Sequence, residues 1–408
     1  MKCRHCAAQL ALTLVDLGSA PPSNAYLTER TLNASEKWFP LRVLVCEQCW
    51  LVQTADFHDS LELFNSDYAY FSAFSTSWLA HCERYVSAVT ERFRLDGNSH
   101  VVEVAANDGY LLDFVIARGI PSTGVEPTAS TAAVAQSKGI PIIEDFFGVR
   151  LATEMAANGK QADLTFASNV LGHVPDINDF VRGFALLLKP GGVATFEFPH
   201  LVQLIEGREF DTMYHEHFSY LSLTAVSRIF SANGLAVFDV EEYATHGGSL
   251  RVFAQRADTG ARPVADRPGE LLRRERESGL ESAAYYSGFQ AQAEQVKDEF
   301  VAFLLDAKRR GKRIAAYGAA AKGNTLMNYA GTRKDLIPFV VDRNPSKQGK
   351  YMPGSRIPIV EEARLAEYKP DYVVILPWNI RHEVMEQLAY VRAWGGQFVT
   401  AIPELRVV

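Results

Sequence analysis

Strands and helices alternate at regular intervals from residue 100 to about residue 255. Short β-branched or apolar runs, from HVVEVA at 100–105 to GGVATFEFP at 191–199, are separated by segments of helical character. Alternation of this kind favours a parallel sheet with crossover helices. A second series of strand, turn and helix begins with KRIAAY at 312–317, after a polar helical stretch at 260–310. The pattern therefore predicts two α/β domains joined by a helical linker.

Four of the five cysteines form two close pairs near the N-terminus. Cys3 and Cys6 make one C-x2-C pair, and Cys46 and Cys49 make the other. Two such pairs supply the four thiolates of a tetrahedral Zn2+ site, which leaves no open position for catalysis. Coincidental or redox-active pairs are the alternative. We predict a structural zinc ion, with His5 as a bystander.

The composition is that of an ordinary soluble globular chain. Of 408 residues, 48% are hydrophobic and 22% are charged, and the net charge is −7. These values exclude a disordered, collagen-like or coiled-coil chain, and the acidic balance argues against a nucleic-acid partner. Neither a long apolar helix nor the apolar core of a signal peptide is evident, so we expect no membrane partner and a cytoplasmic location. A monomer is expected, although the sequence does not specify the oligomeric state.

The first strand and turn are similar to the cofactor loop of class I methyltransferases. The turn, EVAANDG at 103–109, has small residues but only one glycine where three are usual. Glu126 lies 23 residues after Glu103, at the end of the second strand, where an acid accepts hydrogen bonds from ribose hydroxyls. Asp145 follows the third strand and could meet the adenine. An ordinary turn without a cofactor is the alternative. The residues that we assign to S-adenosylmethionine are Glu103, Ala105, Asn107, Gly109, Tyr110, Leu111, Glu126, Pro127, Asp145, Phe146 and Asn169.

The segment MYHEHFSY, residues 213–220, follows the fifth strand at the carboxyl end of the predicted sheet. Ligands bind at this edge in open α/β folds. The segment offers two imidazoles and a carboxylate, and a histidine can take a proton from a carbon beside a ketone while a carboxylate orients it or tunes its pKa. A metal site formed with His215 is a weaker alternative, because further ligands are not evident. A surface loop without chemistry is the other alternative.

Three further residues fall near this edge or just before the domain. His173 follows the fourth strand, although a structural histidine is the commoner outcome. Tyr68 precedes the first α/β strand, and the pattern does not separate a core role from a catalytic one. His246, in a His-Gly-Gly sequence, is expected in a turn between late strands, with substrate contact as the lesser alternative.

A second turn of the same kind, GAAAKGNT at 318–325, opens a helix in the C-terminal series. Main-chain N–H groups at a helix start suit phosphate, and Lys322 could add a positive charge. The turn lacks the Gly-Lys-Ser/Thr sequence of a P-loop. Asp342 ends the next strand and could bind ribose. A turn that only packs domains together is the alternative.

Together these segments resemble the S-adenosylmethionine-dependent sugar C-methyltransferases of deoxysugar pathways, in particular the C-3′-methyltransferases of dTDP-linked 4-keto deoxysugars. The resemblance spans nearly the whole chain in the expected order and departs at Ala106, where a serine is expected. The matching segments are the four-cysteine module, EVAANDGYLL, NVLGHVPD, YHEHFSYLS, THGGSLRVF and YGAAAKGNT.

The resemblance implies a fold of three parts, with the sugar nucleotide held between them. We place a zinc-binding module at 1–67, a class I methyltransferase domain with a doubly wound sheet at 68–258, and a helical linker with a C-terminal Rossmann-like domain at 259–408.

The resemblance also implies a reaction. A base removes the C-3′ proton beside the C-4′ ketone, and the enolate attacks the sulfonium methyl group. His217 matches the base, and Glu216 would orient it or tune its pKa. The supporting catalytic positions are Tyr214, His173 and Tyr68, and the expected substrate contacts are Tyr220, His246, Lys322 and Asn324.

Other functions remain open at this point. An O- or N-methyltransferase of small molecules would need no carbon acid. A zinc-ribbon protein that binds nucleic acid or protein would need no cofactor. A zinc hydrolase would need an open metal position, which four cysteines do not provide.

Overall fold

The computed structural model describes residues 1–56 and 76–408, in which the strands form three sheets. The N-terminal sheet is antiparallel and has four strands. Its strands are β1 (Leu12–Ala20), β2 (Phe39–Val45), β3 (Val52–Thr54) and β9 (Ser219–Tyr220). Strand β9 comes from far along the chain and pairs Tyr220 with Val52. The segment 213–220 therefore runs directly into the sheet of the N-terminal module.

The second sheet has seven strands in the order β10-β11-β8-β7-β4-β5-β6. The strands are β4 (Val101–Val104), β5 (Ser122–Val125), β6 (Ile142–Ile143), β7 (Ala162–Ser168), β8 (Leu188–Pro199), β10 (Leu235–Tyr243) and β11 (Ser249–Arg256). Strands β4 to β8 pair in parallel, and β10 and β11 extend the sheet antiparallel. All four residues of β4 are buried, as expected for a central parallel strand.

Helices connect these strands and cover the sheet. They are α1 (Thr76–Phe93), α2 (Leu112–Ile116), α3 (Ala129–Ser137), α4 (Val149–Ala157), α5 (Ile177–Leu187), α6 (Leu201–Glu206) and α7 (Leu223–Ala232). Side chains fix two of the helix starts: Asp176 accepts a hydrogen bond from the Asp179 N–H before α5, and Ser222 accepts one from Ala225 before α7. The predicted helix that runs toward Phe93 is confirmed. Its Cys82 is buried, as predicted for a thiol with a structural role.

The third sheet has six strands in the order β14-β13-β12-β15-β16-β17, parallel except for its last pair. The strands are β12 (Ile314–Tyr317), β13 (Val340–Val341), β14 (Ile359–Val360), β15 (Tyr372–Ile375), β16 (Gln397–Thr400) and β17 (Arg406–Val407). The helices of this part are α8 (Asp266–Glu277), α9 (Ala283–Tyr286), α10 (Phe289–Arg309), α11 (Ala321–Tyr329), α12 (Ala363–Tyr368) and α13 (Arg381–Gln387). The predicted helical stretch at 260–310 corresponds to α8, α9 and α10.

Short 3-10 turns complete the structure, and several of them carry residues of the candidate site. They are Leu171–His173, Phe210–Thr212, Thr245–Gly247, Trp378–Ile380 and Ala389–Trp394. Within the described residues, no helix has both the length and the apolar character needed to cross a membrane.

The largest hydrophobic core is shared by all three parts of the chain. It joins Leu14 of β1, Phe210 and Met213 around the start of the segment 213–220, and Leu326 and Trp378 of the C-terminal part. The three-part α/β fold is confirmed. The exact division at residues 67 and 258 stays a prediction, because the shared core and strand β9 cross it.

Candidate active site

The four N-terminal cysteines meet at one point. Their sulfur atoms all lie within 4.8 Å of one another, and the Cys3–Cys49 and Cys6–Cys46 pairs are each 3.5 Å apart. Zn–S bonds of about 2.3 Å in a tetrahedron place the sulfurs about 3.8 Å apart, so the cluster fits Zn2+. His5 is turned away and pairs with Asn178 at 2.8 Å.

The turn after β4 contains three residues with positive φ angles. Ala105 and Asn107 adopt positive φ angles of 61° and 50°, and Gly109 has φ 76°. Non-glycine residues rarely adopt this region. A Cβ on Gly109 would lie 2.2 Å from Ile140 Cδ1 and 3.1 Å from Ala135 Cβ, so a larger residue would require the Ile140 side chain to move. Both the φ angle of Gly109 and the packing around it favour glycine at this position.

Two buried carboxylates lie behind this turn. Glu126 accepts hydrogen bonds from the main-chain N–H groups of Asn107 and Thr128, both at 2.9 Å. Both carboxyl oxygens of Glu103 are buried without a hydrogen-bond partner among the described residues. Burial raises the pKa of Glu103 well above its usual range, and the charges of Asp108 and Glu126 add to this. Buried polar groups normally have a hydrogen-bond partner, so Glu103 is a candidate ligand contact.

The remaining predicted cofactor residues follow the same edge. Tyr110 and Leu111 are buried and Pro127 is half-buried. Asp145 pairs with Arg150 at 2.6 Å and accepts the Phe146 N–H, and the Phe146 ring is 52% exposed. An exposed aromatic ring beside a carboxylate can cover one face of a purine.

Two residues on neighbouring loops meet at this edge. Asn169, after β7, has φ 54° and donates from Nδ2 to His246 Nε2 at 3.3 Å. His246 also has a positive φ angle, 56°, in the predicted turn between β10 and β11. The Trp78 ring lies 5.1 Å from the His246 ring and 6.2 Å from Tyr110, between centroids. The sequence does not single out Trp78.

His217 has its tautomer fixed by the main chain. Its Nδ1 lies 2.7 Å from the Thr212 carbonyl oxygen. Because a carbonyl only accepts, Nδ1 carries the hydrogen and Nε2 holds the lone pair. Burial lowers the pKa of His217 well below its usual range, the neighbouring His173 and the charge of Lys322 lower it further, and the hydrogen bond to Thr212 opposes this only in part. The imidazole is therefore neutral near pH 7 and has the form of a general base.

Three predicted residues surround the His217 ring. Tyr214 lies against it with 3.8 Å between ring centroids, and His173 meets it edge-on at 4.5 Å. The Tyr220 ring is 6.1 Å away, and its hydroxyl shares a hydrogen bond of 3.3 Å with Thr54. Burial lowers the pKa of His173 to about 4, so this imidazole is also neutral.

Glu216 does not pair with His217, contrary to the expected orienting role. Its Oε1 accepts from the main-chain N–H and the Nδ2 of Asn24, at 3.1 and 3.2 Å. Glu216 therefore faces the N-terminal module. His215 faces that module as well, toward the carbonyls of Phe39 and Pro40 at 3.3 Å. The two histidines are thus not arranged as a metal pair.

Lys322 lies against the Trp378–Ile380 turn of the C-terminal part. Its Nζ donates to Asn379 at 2.9 Å and lies 4.5 Å over the Trp378 ring. Burial lowers the pKa of Lys322, and the nearby carboxylates of Asp211 and Glu209 oppose this. Burial raises the pKa of Asp211 to about 6 and that of Glu209 to about 8. None of these partners is marked by the sequence, because they come from distant parts of the chain.

The second turn is filled by protein groups. The Ala319 N–H donates to Asp342 at 2.7 Å, and the Ala319 carbonyl accepts from Tyr26 at 2.5 Å and Lys347 at 2.8 Å. Asn324 is fully buried and donates from Nδ2 to the Ser23 carbonyl at 2.7 Å. Asn324 thus ties the C-terminal helix to the N-terminal module. Tyr68 lies outside the described residues.

Three family models match the chain. The model described as "C-methyltransferase C-terminal domain" matches residues 244–403, "Methyltransferase domain" matches 78–240, and "Putative zinc binding domain" matches 3–64. Among curated proteins, C-methyltransferase NovU from Streptomyces niveus is 34% identical over 409 residues, covering 100% of this chain and 96% of that protein.

Solved structures of lower similarity each cover less than half of the chain. Magnesium protoporphyrin IX methyltransferase from Synechocystis with bound SAM is 15% identical with a TM-score of 0.33, covering 44% of this chain and 79% of that one. An S-adenosylmethionine-dependent methyltransferase from Clostridium acetobutylicum is 10% identical with a TM-score of 0.36, covering 45% and 92%.

The full-length match to a C-methyltransferase agrees with the order of the three family models and with the arrangement of the three sheets. The chain belongs to the family of S-adenosylmethionine-dependent C-methyltransferases.

Proposed function

We propose that this protein methylates C-3′ of a nucleotide-linked 4-keto deoxysugar, with dTDP as the nucleotide. The observation that carries the proposal is the neutral His217 imidazole, with Nδ1–H bonded to Thr212 and the lone pair on Nε2. A carbon beside a ketone is acidic enough for such a base when the enolate oxygen meets preformed donors. A neutral amine needs no base in order to attack, whereas a hydroxyl group would use the same base, so the match to C-methyltransferases supports carbon over oxygen.

The edge of the seven-stranded sheet supports the cofactor assignment. Glu103 would receive a donor from the ligand, since its carboxyl oxygens are otherwise unpartnered among the described residues. Glu126 stands at the end of β5, where ribose hydroxyls would reach it, and the exposed Phe146 ring would cover the adenine. S-Adenosylmethionine, when bound, supplies an electrophilic methyl group.

The remaining cofactor contacts would come from the loop backbones at this edge. The positive φ angles of Ala105, Asn107, Gly109 and Asn169 turn the main chain sharply, and small side chains at the first turn leave room for close approach. Tyr110, Leu111, Pro127 and Asp145 complete the proposed contacts.

The chain's own residues would carry out the proton transfer. His217 Nε2 takes the C-3′ proton, and the electron pair of that C–H bond moves onto the C-4′ oxygen as the enolate forms. Tyr214 and His173, which contact the His217 ring, would hold the sugar against the base. Tyr220 and His246 would line the substrate side of the pocket, and Tyr68 stays a prediction.

Lys322 would meet the anionic part of the substrate. The positive charge of Lys322 lowers the pKa of both His217 and His246, so Lys322 lies near these two histidines. Asn324 would affect the substrate site only indirectly, by holding the C-terminal helix against the N-terminal module, because its amide already donates to the Ser23 carbonyl. Replacing Lys322 by methionine should weaken dTDP binding, and unchanged dTDP affinity would remove Lys322 from the substrate site.

The experiment is incubation of a dTDP-linked 4-keto-6-deoxyhexose with S-adenosylmethionine, followed by mass spectrometry and NMR of the product. Both C-3′ and C-5′ flank the ketone, so NMR must place the new carbon. A gain of one methylene at C-3′ supports the proposal. A gain at C-5′, or on oxygen or nitrogen, would refute the C-3′ assignment while leaving methyl transfer intact.

A further inference from the structure

We infer that the C-terminal domain sets the orientation of the catalytic base, with Thr325 and Trp378 as positioning residues for His217. The inference rests on the proposed role of His217. It gives the C-terminal domain a part in the chemical step itself, beyond packing or substrate binding.

The hydrogen bond that orients the base comes from a main-chain carbonyl. His217 Nδ1 donates to Thr212 at 2.7 Å, and the Phe210–Thr212 turn is a single 3-10 turn. A main-chain acceptor can be aimed only by fixing the peptide planes around it. The residues on either side of Thr212 therefore decide where the imidazole points.

Both neighbours of Thr212 are held by the C-terminal domain. Asp211 Oδ2 accepts from Trp378 Nε1 at 2.9 Å, and the Met213 carbonyl accepts from Thr325 Oγ1 at 3.0 Å. All four residues are buried, with Asp211 and Met213 fully so. Buried hydrogen bonds of this kind are not exchanged for water bonds, so they constrain geometry more than surface bonds do.

The helix that supplies Thr325 is itself fixed. Its Gly323 packs so closely on β15 and the residues after it that a Cβ there would lie 2.8 Å from Leu376 Cβ. The next residue, Asn324, is bonded to the Ser23 carbonyl of the N-terminal module at 2.7 Å. The first turns of α11 therefore hold the base-bearing segment and the module at the same time.

The N-terminal module also forms hydrogen bonds with the segment that carries His217. Thr54 Oγ1 of β3 donates to the His217 carbonyl at 2.6 Å, and Asn24 donates to Glu216. The segment from Asp211 to His217 is thus bonded to the C-terminal domain at one end and to the module at the other. Glu216 acts on the base through this arrangement rather than by direct contact.

The test compares three variants with the wild type. Thr325→Val removes the hydroxyl at nearly constant volume, Thr325→Ser keeps it, and Trp378→Phe removes the indole N–H. The matched control is Tyr26→Phe, which removes another hydrogen bond between the module and the C-terminal domain while Lys347 still serves the Ala319 carbonyl.

The readouts are kcat and KM for methylation, the melting temperature, and the rate of hydrogen–deuterium exchange beside the ketone. The exchange assay uses a dTDP-linked 4-keto-6-deoxyhexose in D2O without the methyl donor. It reports proton removal alone. Misplacing a reacting group by 1 Å costs on the order of 100-fold, and a relaxed hydrogen bond moves it by less.

We expect Thr325→Val and Trp378→Phe each to lower kcat and the exchange rate by about tenfold, with KM changed less than about threefold. Thr325→Ser and Tyr26→Phe should stay near the wild-type rates. Equal losses in Tyr26→Phe, or losses that track melting temperature alone, would overturn the positioning role. Wild-type exchange in the valine and phenylalanine variants would overturn it as well. If the wild type itself neither exchanges nor methylates, the proposed function fails first.

Discussion

The sharpest prediction concerns His217→Asn, which separates the two nitrogens of the imidazole. An asparagine amide places its Nδ2 near the position of Nδ1, so it can still donate to the Thr212 carbonyl now 2.7 Å from the ring. It has no group at the position of Nε2. The segment should therefore keep its fold while losing the proton acceptor.

The magnitude follows from the role assigned to Nε2. A positioned general base contributes about 10²- to 10⁴-fold to the rate. At about 1.4 kcal/mol per tenfold change, this corresponds to about 3–5 kcal/mol of activation free energy. We expect kcat for methylation to fall by that factor in His217→Asn, and the cofactor affinity measured by calorimetry to stay unchanged.

The pH profile adds a second signature. Because burial lowers the pKa of His217 well below its usual range, the base is already neutral at pH 6.5 and above. Wild-type kcat should be flat from about pH 6.5 to 8, apart from other groups that titrate, and should fall below this range as Nε2 takes a proton. The residual activity of His217→Asn should lack this acidic decline.

Two results would refute the reasoning. Methylation by His217→Asn within about tenfold of the wild-type rate, with the cofactor still bound, would move the base to another residue. A wild-type acidic decline centred above pH 7 that disappears in the variant would show that the imidazole is not desolvated. His217→Gln is the matched control, because its longer amide does not keep the Nδ1 position and should also disturb the melting temperature.

Three further predictions test the framework of the site. Removing zinc with a chelator should release about one ion per chain and lower the melting temperature, and Cys49→Ser should lower both the zinc content and the melting temperature. In urea unfolding, Gly109→Ala should lower the free energy of unfolding by about 1–2 kcal/mol for its φ angle and by about 1–3 kcal/mol more for the contact with Ile140. The control, Gly119→Ala, has a similar φ angle but open space around it, so it should lose only about 1–2 kcal/mol. Glu126→Gln should weaken S-adenosylmethionine binding about 10- to 100-fold by calorimetry, the effect of losing a charged hydrogen-bond acceptor; an unchanged affinity would remove Glu126 from the ribose site.

The parts of the fold that are predictable from sequence depend on local patterns. The strands β4 to β8 follow from apolar runs at regular spacing, and the zinc cluster follows from two C-x2-C pairs, because a cysteine pair at that spacing already shapes a metal knuckle. The clustering of His173 and His217 also follows, since both come after strands whose carboxyl ends share one edge.

The parts that are not predictable depend on contacts between distant segments and on the main chain. The acceptor for His217 is the Thr212 carbonyl, and every residue has a carbonyl, so the sequence does not mark it. Asn24 and Glu216 are 192 residues apart, and Asp211 and Trp378 are 167 apart. Adjacent acid and base residues in a motif suggest a pair, yet the backbone turns Glu216 and His217 to different sides.

The C-terminal turn shows a related limit. Its sequence is typical of a phosphate-binding helix start, but the Ala319 N–H and carbonyl already have protein partners. Lys322 instead donates to Asn379 and lies over the Trp378 ring. Whether a turn of this kind holds a ligand or a neighbouring domain depends on what folds against it, which local sequence does not encode.

The electrostatics around His217 favour a reaction that begins with a neutral imidazole and a neutral ketone. Burial and the charge of Lys322 keep His217 neutral, which makes it available but intrinsically a weaker base. Proton removal from a ketone-adjacent carbon creates an imidazolium and an enolate in contact, and their attraction at 4 Å is about 4 kcal/mol at an effective dielectric constant near 20. In the proposed reaction, the charge of Lys322 would oppose the new positive charge on His217, as it already lowers the pKa of that imidazole. A nucleophile that needs no deprotonation, such as a neutral amine, would gain nothing from this arrangement. A hydroxyl group would use the same base, so it is the match to C-methyltransferases that favours carbon over oxygen as the atom that receives the methyl group.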